Sequence, residues 1–116
     1  MASNAFMKSV QITVPAGLVA EATYAIEDGA SYRSFSVQVL GLDDTTSVKL
    51  DVTLNGADYV KVADGAASDS AGCIFNYDLH AFCKGAQLRV PAGTAGGTLV
   101  VNMYGNIYIP GFQTRH

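Results

Sequence analysis

Asp78 and His80 stand two residues apart, with Asn76 two before Asp78. In an extended chain alternate residues share a face, so this row sets a carboxylate beside an imidazole, a pairing that general acid–base chemistry uses. No motif places a nucleophile next to it, and the polar face of any solvated strand produces such rows. Cys83 lies near His80 and suggests a thiol nucleophile. The presumed turn around it, residues 81–85, carries no cysteine-hydrolase signature, and the thiol reads as inert. Asp43, Asp44, Asp64 and Asp69 offer oxygen to a cation, but the stretch from Asp64 to Asp69 lacks the alternating ligands and closing Glu of a calcium loop. Gly93, Gly96 and Gly97 precede a strand rather than a helix, so they form no phosphate cradle. Tyr24, Tyr32, Tyr59 and Tyr104 are candidates for a sugar-stacking face, yet the chain has no Trp and strand spacing accounts for most of them. The expectation is a protein without enzymatic activity, cofactor or metal.

Charge narrows the partners. The chain has 116 residues, 49% hydrophobic and only 15% charged, with a formal net charge of −3. Lys8, Lys49, Lys61, Lys84, Arg33, Arg89 and Arg115 are scattered, whereas phosphate binding needs clustered cations, so nucleic acid is not an expected partner. The first ten residues contain no apolar signal region, and Pro15, Gly17 and Glu21 interrupt the apolar stretch that follows. No membrane span is expected, and synthesis and folding are assigned to a cytoplasm. There Cys73 and Cys83 should stay reduced. If 74–80 is one strand, its seven residues extend about 23 Å, too far for a disulfide between its ends.

The elements that position these residues alternate with period two. Residues 8–14 set Val10, Ile12 and Val14 on one face, and 21–26 form a weaker candidate. Residues 33–40 oppose Phe35, Val37 and Val39 to Ser34, Ser36 and Gln38. Residues 47–54 turn Val48, Leu50, Val52 and Leu54 inward and Lys49, Asp51 and Thr53 outward. Asn55-Gly56 is expected to close a tight hairpin to 58–62, with 63–72 a loop. Residues 74–80, 87–90 and 98–104 supply further strands. About eight strands predict an all-β, two-sheet antiparallel sandwich or jelly roll, with an eight-stranded barrel as the main alternative. The sequence from Gln11 to Gly17 is echoed from Gln87 to Gly93, and both copies end in Pro-Ala-Gly. Two strands that end alike explain the echo without a duplication.

One domain of residues 8–105 is expected, with an N-terminal arm of 1–7 and a segment 106–116 that is either a C-terminal arm or an edge strand. The candidate interface residues are Phe6, Met7, Ile107, Tyr108, Ile109 and Phe112, because free tails are ordinarily polar. Phe35-Ser36-Val37-Gln38-Val39, the run from Val52 to Val60 through Asn55-Gly56, Leu88-Arg89-Val90 and the run from Gly97 to Gly105 together resemble small β-sandwich virion proteins of tailed bacteriophages, most of all head decoration (cement) proteins. The same grammar occurs in tail and neck proteins and in some carbohydrate-binding modules, which are the alternatives. The resemblance implies a structural homo-oligomer, a trimer, that binds the major capsid protein at the capsid surface of a virion. It carries over no functional residue.

Overall fold

The computed structural model describes residues 7–42, 46–66, 72–79, 82–93 and 95–105. Eight strands form: β1 (Met7–Val14), β2 (Ala22–Ala25), β3 (Ser34–Leu40), β4 (Ser47–Thr53), β5 (Val60–Ala66), β6 (Cys73–Asp78), β7 (Gly85–Val90) and β8 (Gly97–Tyr104). A 3-10 turn at Gly29–Ser31 is the one helical segment among the described residues. The strands make two four-stranded sheets in the orders β1-β8-β3-β6 and β2-β7-β4-β5, and every pairing is antiparallel. The chain changes sheet at every connection except β4 to β5. This is the eight-stranded jelly roll, not the barrel.

Alternation builds the core. Phe35, Val37 and Val39 of β3 and Leu99, Val101 and Met103 of β8 face Val48 and Leu50 of β4 and Leu88 and Val90 of β7, and all are buried. The Pro-Ala-Gly echo ends β1 and β7 in the same way. Pro15 and Pro91 stop the ladders, and Gly17 and Gly93 take positive φ (73° and 81°). The two turns meet, since the Gly93 N–H donates to the Leu18 carbonyl at 2.8 Å.

The β4–β5 hairpin differs from the tight turn expected. Val52 pairs with Val60, which leaves a six-residue connection from Leu54 to Tyr59. Asn55 acts here through its side chain. Its Oδ1 accepts from the backbone N–H of Ala57 and Asp58 and from the Thr53 hydroxyl, while its Nδ2 donates to Asp58. An Asn side chain that satisfies the turn's own donors is an alternative to the two-residue turn. Only Gly56 of the pair takes positive φ, 85°. The partner strand runs from Val60 to Ala66 rather than from 58 to 62, so residues 63–66 are strand and not loop. The register slips by one residue opposite Leu50/Asp51. Leu54, expected inward, lies past the end of β4 and is 64% exposed.

Glycine 72 combines two constraints. Its φ is +92°, and a Cβ there would lie 1.9 Å from the Val39 carbonyl oxygen. Gly17 has similar φ but nothing within 4 Å. Left-handed backbone alone costs an L-residue about 1–2 kcal/mol. Gly17→Ala should therefore cost about 1 kcal/mol in urea denaturation, and Gly72→Ala at least about 3 kcal/mol because the β3 backbone must also move.

Candidate assembly surfaces

The outer face of the β1-β8-β3-β6 sheet is laid out by register. Its cross-strand rows are Met7–Tyr104–Ser34–Asp78, Ser9–Asn102–Ser36–Asn76, Gln11–Val100–Gln38–Ile74 and Thr13–Thr98–Leu40. Asp78 is the one charged residue in these rows, and it sits at a corner where the Ser34 hydroxyl donates to it. The other positions carry hydroxyls, amides and a few apolar groups. Charge depletion of this kind marks the centre of protein interfaces. Met7 and Tyr104 pair at one end of the face, so the chain enters and leaves the described body at the same place.

The opposite outer face is charged. Asp51 of β4 is 2% exposed, although its position in the alternation points it away from the core. Arg89 and Gln87 of the neighbouring β7 lie over it. Arg89 Nε and Nη2 donate to the two carboxylate oxygens at 2.6 and 3.0 Å, and Gln87 Nε2 donates at 2.9 Å. Glu21 stands 3.6 Å from Arg89 Nη1. The hydrogen bonds that Arg89 donates to Asp51 hold the Arg89 proton more firmly than usual, against the smaller cost of burial. Thr53, also expected outward, is 1% exposed. The Tyr59 hydroxyl lies over Gly85 next to the Thr53 methyl, so the β4–β5 connection folds back across this face. Both carboxylate oxygens of Asp51 accept from fixed partners on β7, an arrangement that anchors β4 to β7.

The third surface is a groove of about 380 Å³ where β5 and β6, each an edge strand of its sheet, face one another. Val52, Leu54, Val60, Val62, Tyr77 and Leu79 line it, and Asn55 and Asp58 stand at its rim. Leu54 and Val60 are 64% and 63% exposed. Further along the same opening the Phe75 ring lies directly on Gly65, where an added Cβ would meet it at 2.5 Å. Glycine at this position lets the ring close one half of the opening, and the other half stays as the groove.

Among the described residues the chemistry-bearing side chains are not brought together. Asp78 is tied to Ser34, and His80 lies outside the described residues, as do Asp43, Asp44 and Asp69. Asp64 pairs with Lys61 at 3.1 Å. Among the described residues no three His, Cys, Asp or Glu side chains form a metal-sized group. Tyr32 is in the core and Tyr24 packs against it, while Tyr59 and Tyr104 lie on the outer faces of different sheets, so the four build no common platform. Of the candidate interface residues, Met7 opens β1 and is 47% exposed. Phe6, Ile107, Tyr108, Ile109 and Phe112 lie outside the described residues. The groove went unread in the sequence because Leu54 continues the inward period of β4, and only the pairing of Val52 with Val60 shows that it lies past the end of the strand.

Neither a protein-family model nor a curated protein matches the sequence. Solved structures do share its fold. The SPBc2 prophage-derived protein YomS aligns with 85% of this chain and 95% of its own, at a TM-score of 0.55 and 8% identity. The STIV MCP aligns with 89% of this chain at a TM-score of 0.53 and 12% identity, and a triple jelly-roll turret protein of an archaeal virus with 84% at 0.51 and 15%. The chain spans 49% and 27% of the length of those two proteins. At such identities the likeness is one of fold, an all-β jelly roll.

Asp51→Ala should destabilise the fold by about 2 kcal/mol, since it removes charge-assisted bonds from Arg89 and Gln87. Glu21→Ala, at the exposed end of the cluster, should stay within about 0.5 kcal/mol in the same denaturation experiment.

Cys73 and Cys83 are both free thiols. Burial pushes the Cys83 thiol above its ordinary range, outweighing the bond from the Gly85 backbone, and its Sγ–H donates to the Gly29 carbonyl at 3.6 Å. A raised folded-state pKa means that the fold retains this proton more firmly than the unfolded chain. The stabilisation it carries is complete below the ordinary thiol range and is lost as pH climbs through the raised value. Wild-type stability should therefore fall faster than that of Cys83→Ala on the alkaline side, and native Cys83 should alkylate much more slowly than in urea at the same pH.

Proposed function

We propose that this chain is a structural virion protein of a tailed bacteriophage, a head decoration or cement protein that binds the major capsid protein and stabilises the assembled shell. The observation that carries the reading is the nearly uncharged face of the β1-β8-β3-β6 sheet, where Asp78 at a corner is the one charge, with both ends of the described chain at one end of it. A protein that only has to grip a neighbour needs a rigid body, an extended face that costs little to dehydrate, and termini placed to reach across the joint. Burying charge without a partner is expensive, and this face asks for almost none of it. The shared jelly roll of a prophage-derived protein and of viral coat and turret chains supports the reading at the level of architecture. A homotrimer is the assembly proposed, located on the capsid surface.

Electron cryomicroscopy of virions of the source phage, with and without this chain, tests the proposal. The chain should appear as regularly spaced density on the outside of the head, and heads lacking it should disrupt at lower temperature. Recombinant protein added back should saturate those positions. Ser36→Lys, which places a cation in the middle of the neutral face, should weaken head binding at least about tenfold, equivalent to about 1.4 kcal/mol, with the fold retained. Density on the tail or neck instead, or unchanged binding by Ser36→Lys, would reject the assignment.

A further inference from the structure

We infer that the groove between β5 and β6 receives the C-terminal segment 107–112 of a second copy of this chain. The inference rests on the proposal that the chain assembles with itself, and not on which shell it decorates. The groove is lined mostly by apolar side chains and is open to solvent, with Leu54 64% and Val60 63% exposed. The sequence supplies an apolar occupant to match. Ile107, Tyr108, Ile109 and Phe112 fall within six residues, followed by polar Gln113 and Thr114 and the cation Arg115. Asp58 at the rim offers the opposite charge.

Length and starting point favour a neighbour's segment over the chain's own. The described body ends at Gly105, which packs against the Arg33 side chain. From there the backbone is linked sideways to the groove by two hydrogen bonds, Arg33 N–H to the Tyr104 carbonyl and Leu79 N–H to the Arg33 carbonyl. That is two strand spacings, about 10 Å. Crossing it uses about three residues at ~3.3 Å each. A chain reaching its own groove would spend Ile107 and Tyr108 on the crossing and arrive with half of its apolar side chains. In the assembly proposed, the neighbour's Gly105 stands beside the groove, and its segment brings all four. Each copy then has one arm and one groove on different parts of its surface, a heterologous contact that closes into a ring when the rotation allows, as a trimer requires.

Light scattering of the free protein decides this. The full chain should be a trimer. Deletion of 107–116 and the substitution Val60→Asp should each give folded monomers by circular dichroism, because Val60 is exposed and its mutation leaves the core intact. Mixing the two is the sharper experiment. Val60→Asp keeps an arm without a usable groove, the deletion keeps a groove without an arm, and together they should form a 1:1 heterodimer and nothing larger. A trimer that survives the deletion, a mixture that stays monomeric, or a monomeric full chain whose melting temperature drops on deletion would each overturn the inference; the last result assigns the groove to the chain's own tail. Head binding is a separate readout, so either proposal can fail while the other stands.

Discussion

Two rows of aliphatic side chains, one from the middle strands of each sheet, meet face to face through the length of the molecule. β3 and β8 contribute Phe35, Val37, Val39, Leu99, Val101 and Met103; β4 and β7 contribute Val48, Leu50, Leu88 and Val90. Each such side chain, fully removed from water, contributes about 1.5–3 kcal/mol against the cost of ordering it. These are the central strands of their sheets, so the packing that holds the sheets together also fixes which strands have two neighbours and which are left at an edge. β-Branched and aliphatic residues dominate because they fill the roughly 10 Å space between facing sheets without polar atoms to satisfy.

Fixing the inner faces frees the outer ones to diverge. A one-residue slip would turn every core side chain to solvent, so the register is held strongly by the inner rows alone. The outer residues do not have to help. On one sheet they form the Asp51–Arg89–Gln87 cluster, in which Arg89 and Gln87 cover the buried Asp51. On the other they are hydroxyls and amides with Asp78 at a corner. Two faces of the same small body have been given opposite character, which the fold does not require.

Period-two alternation carries most of the architecture in plain sight. Val37 and Val39 against Ser36 and Gln38, or Val48 and Leu50 against Lys49, specify half-buried strands with no need of tertiary information, and the strand count follows from the turns between them. Sheet membership is another matter. The chain crosses between sheets at all but one connection, and crossings of this kind have no local signature. Asn55-Gly56 shows the limit at the level of one turn. The dipeptide is a strong hairpin signal, and a hairpin does form, but Asn55 Oδ1 wins the backbone donors of Ala57 and Asp58 and lengthens the connection. Asp51 shows it for burial. Alternation assigns it to solvent, and only the pairing of β4 with β7 brings Arg89 and Gln87 over it. The outer-face rows were hidden for the same reason, since a row such as Ser9–Asn102–Ser36–Asn76 draws one residue from each of four distant segments.

At the β5–β6 opening the strand edges are guarded along the backbone while the side chains offer apolar surface. β5 and β6 are both edge strands, and an unprotected edge invites indiscriminate strand pairing. On β5 the register irregularity opposite Leu50/Asp51 breaks the ladder, and Lys61 and Asp64 put charge along the strand. Both devices discourage another strand from adding there. On the inner side of the same strand, Val60 and Val62 keep apolar surface toward Tyr77 and Leu79. The edge thus refuses a backbone partner and offers a shaped apolar one. In the assembly proposed above, selectivity for a particular segment comes from side-chain fit and from Asp58 in the groove lining, which separates a defined oligomer from open-ended edge pairing.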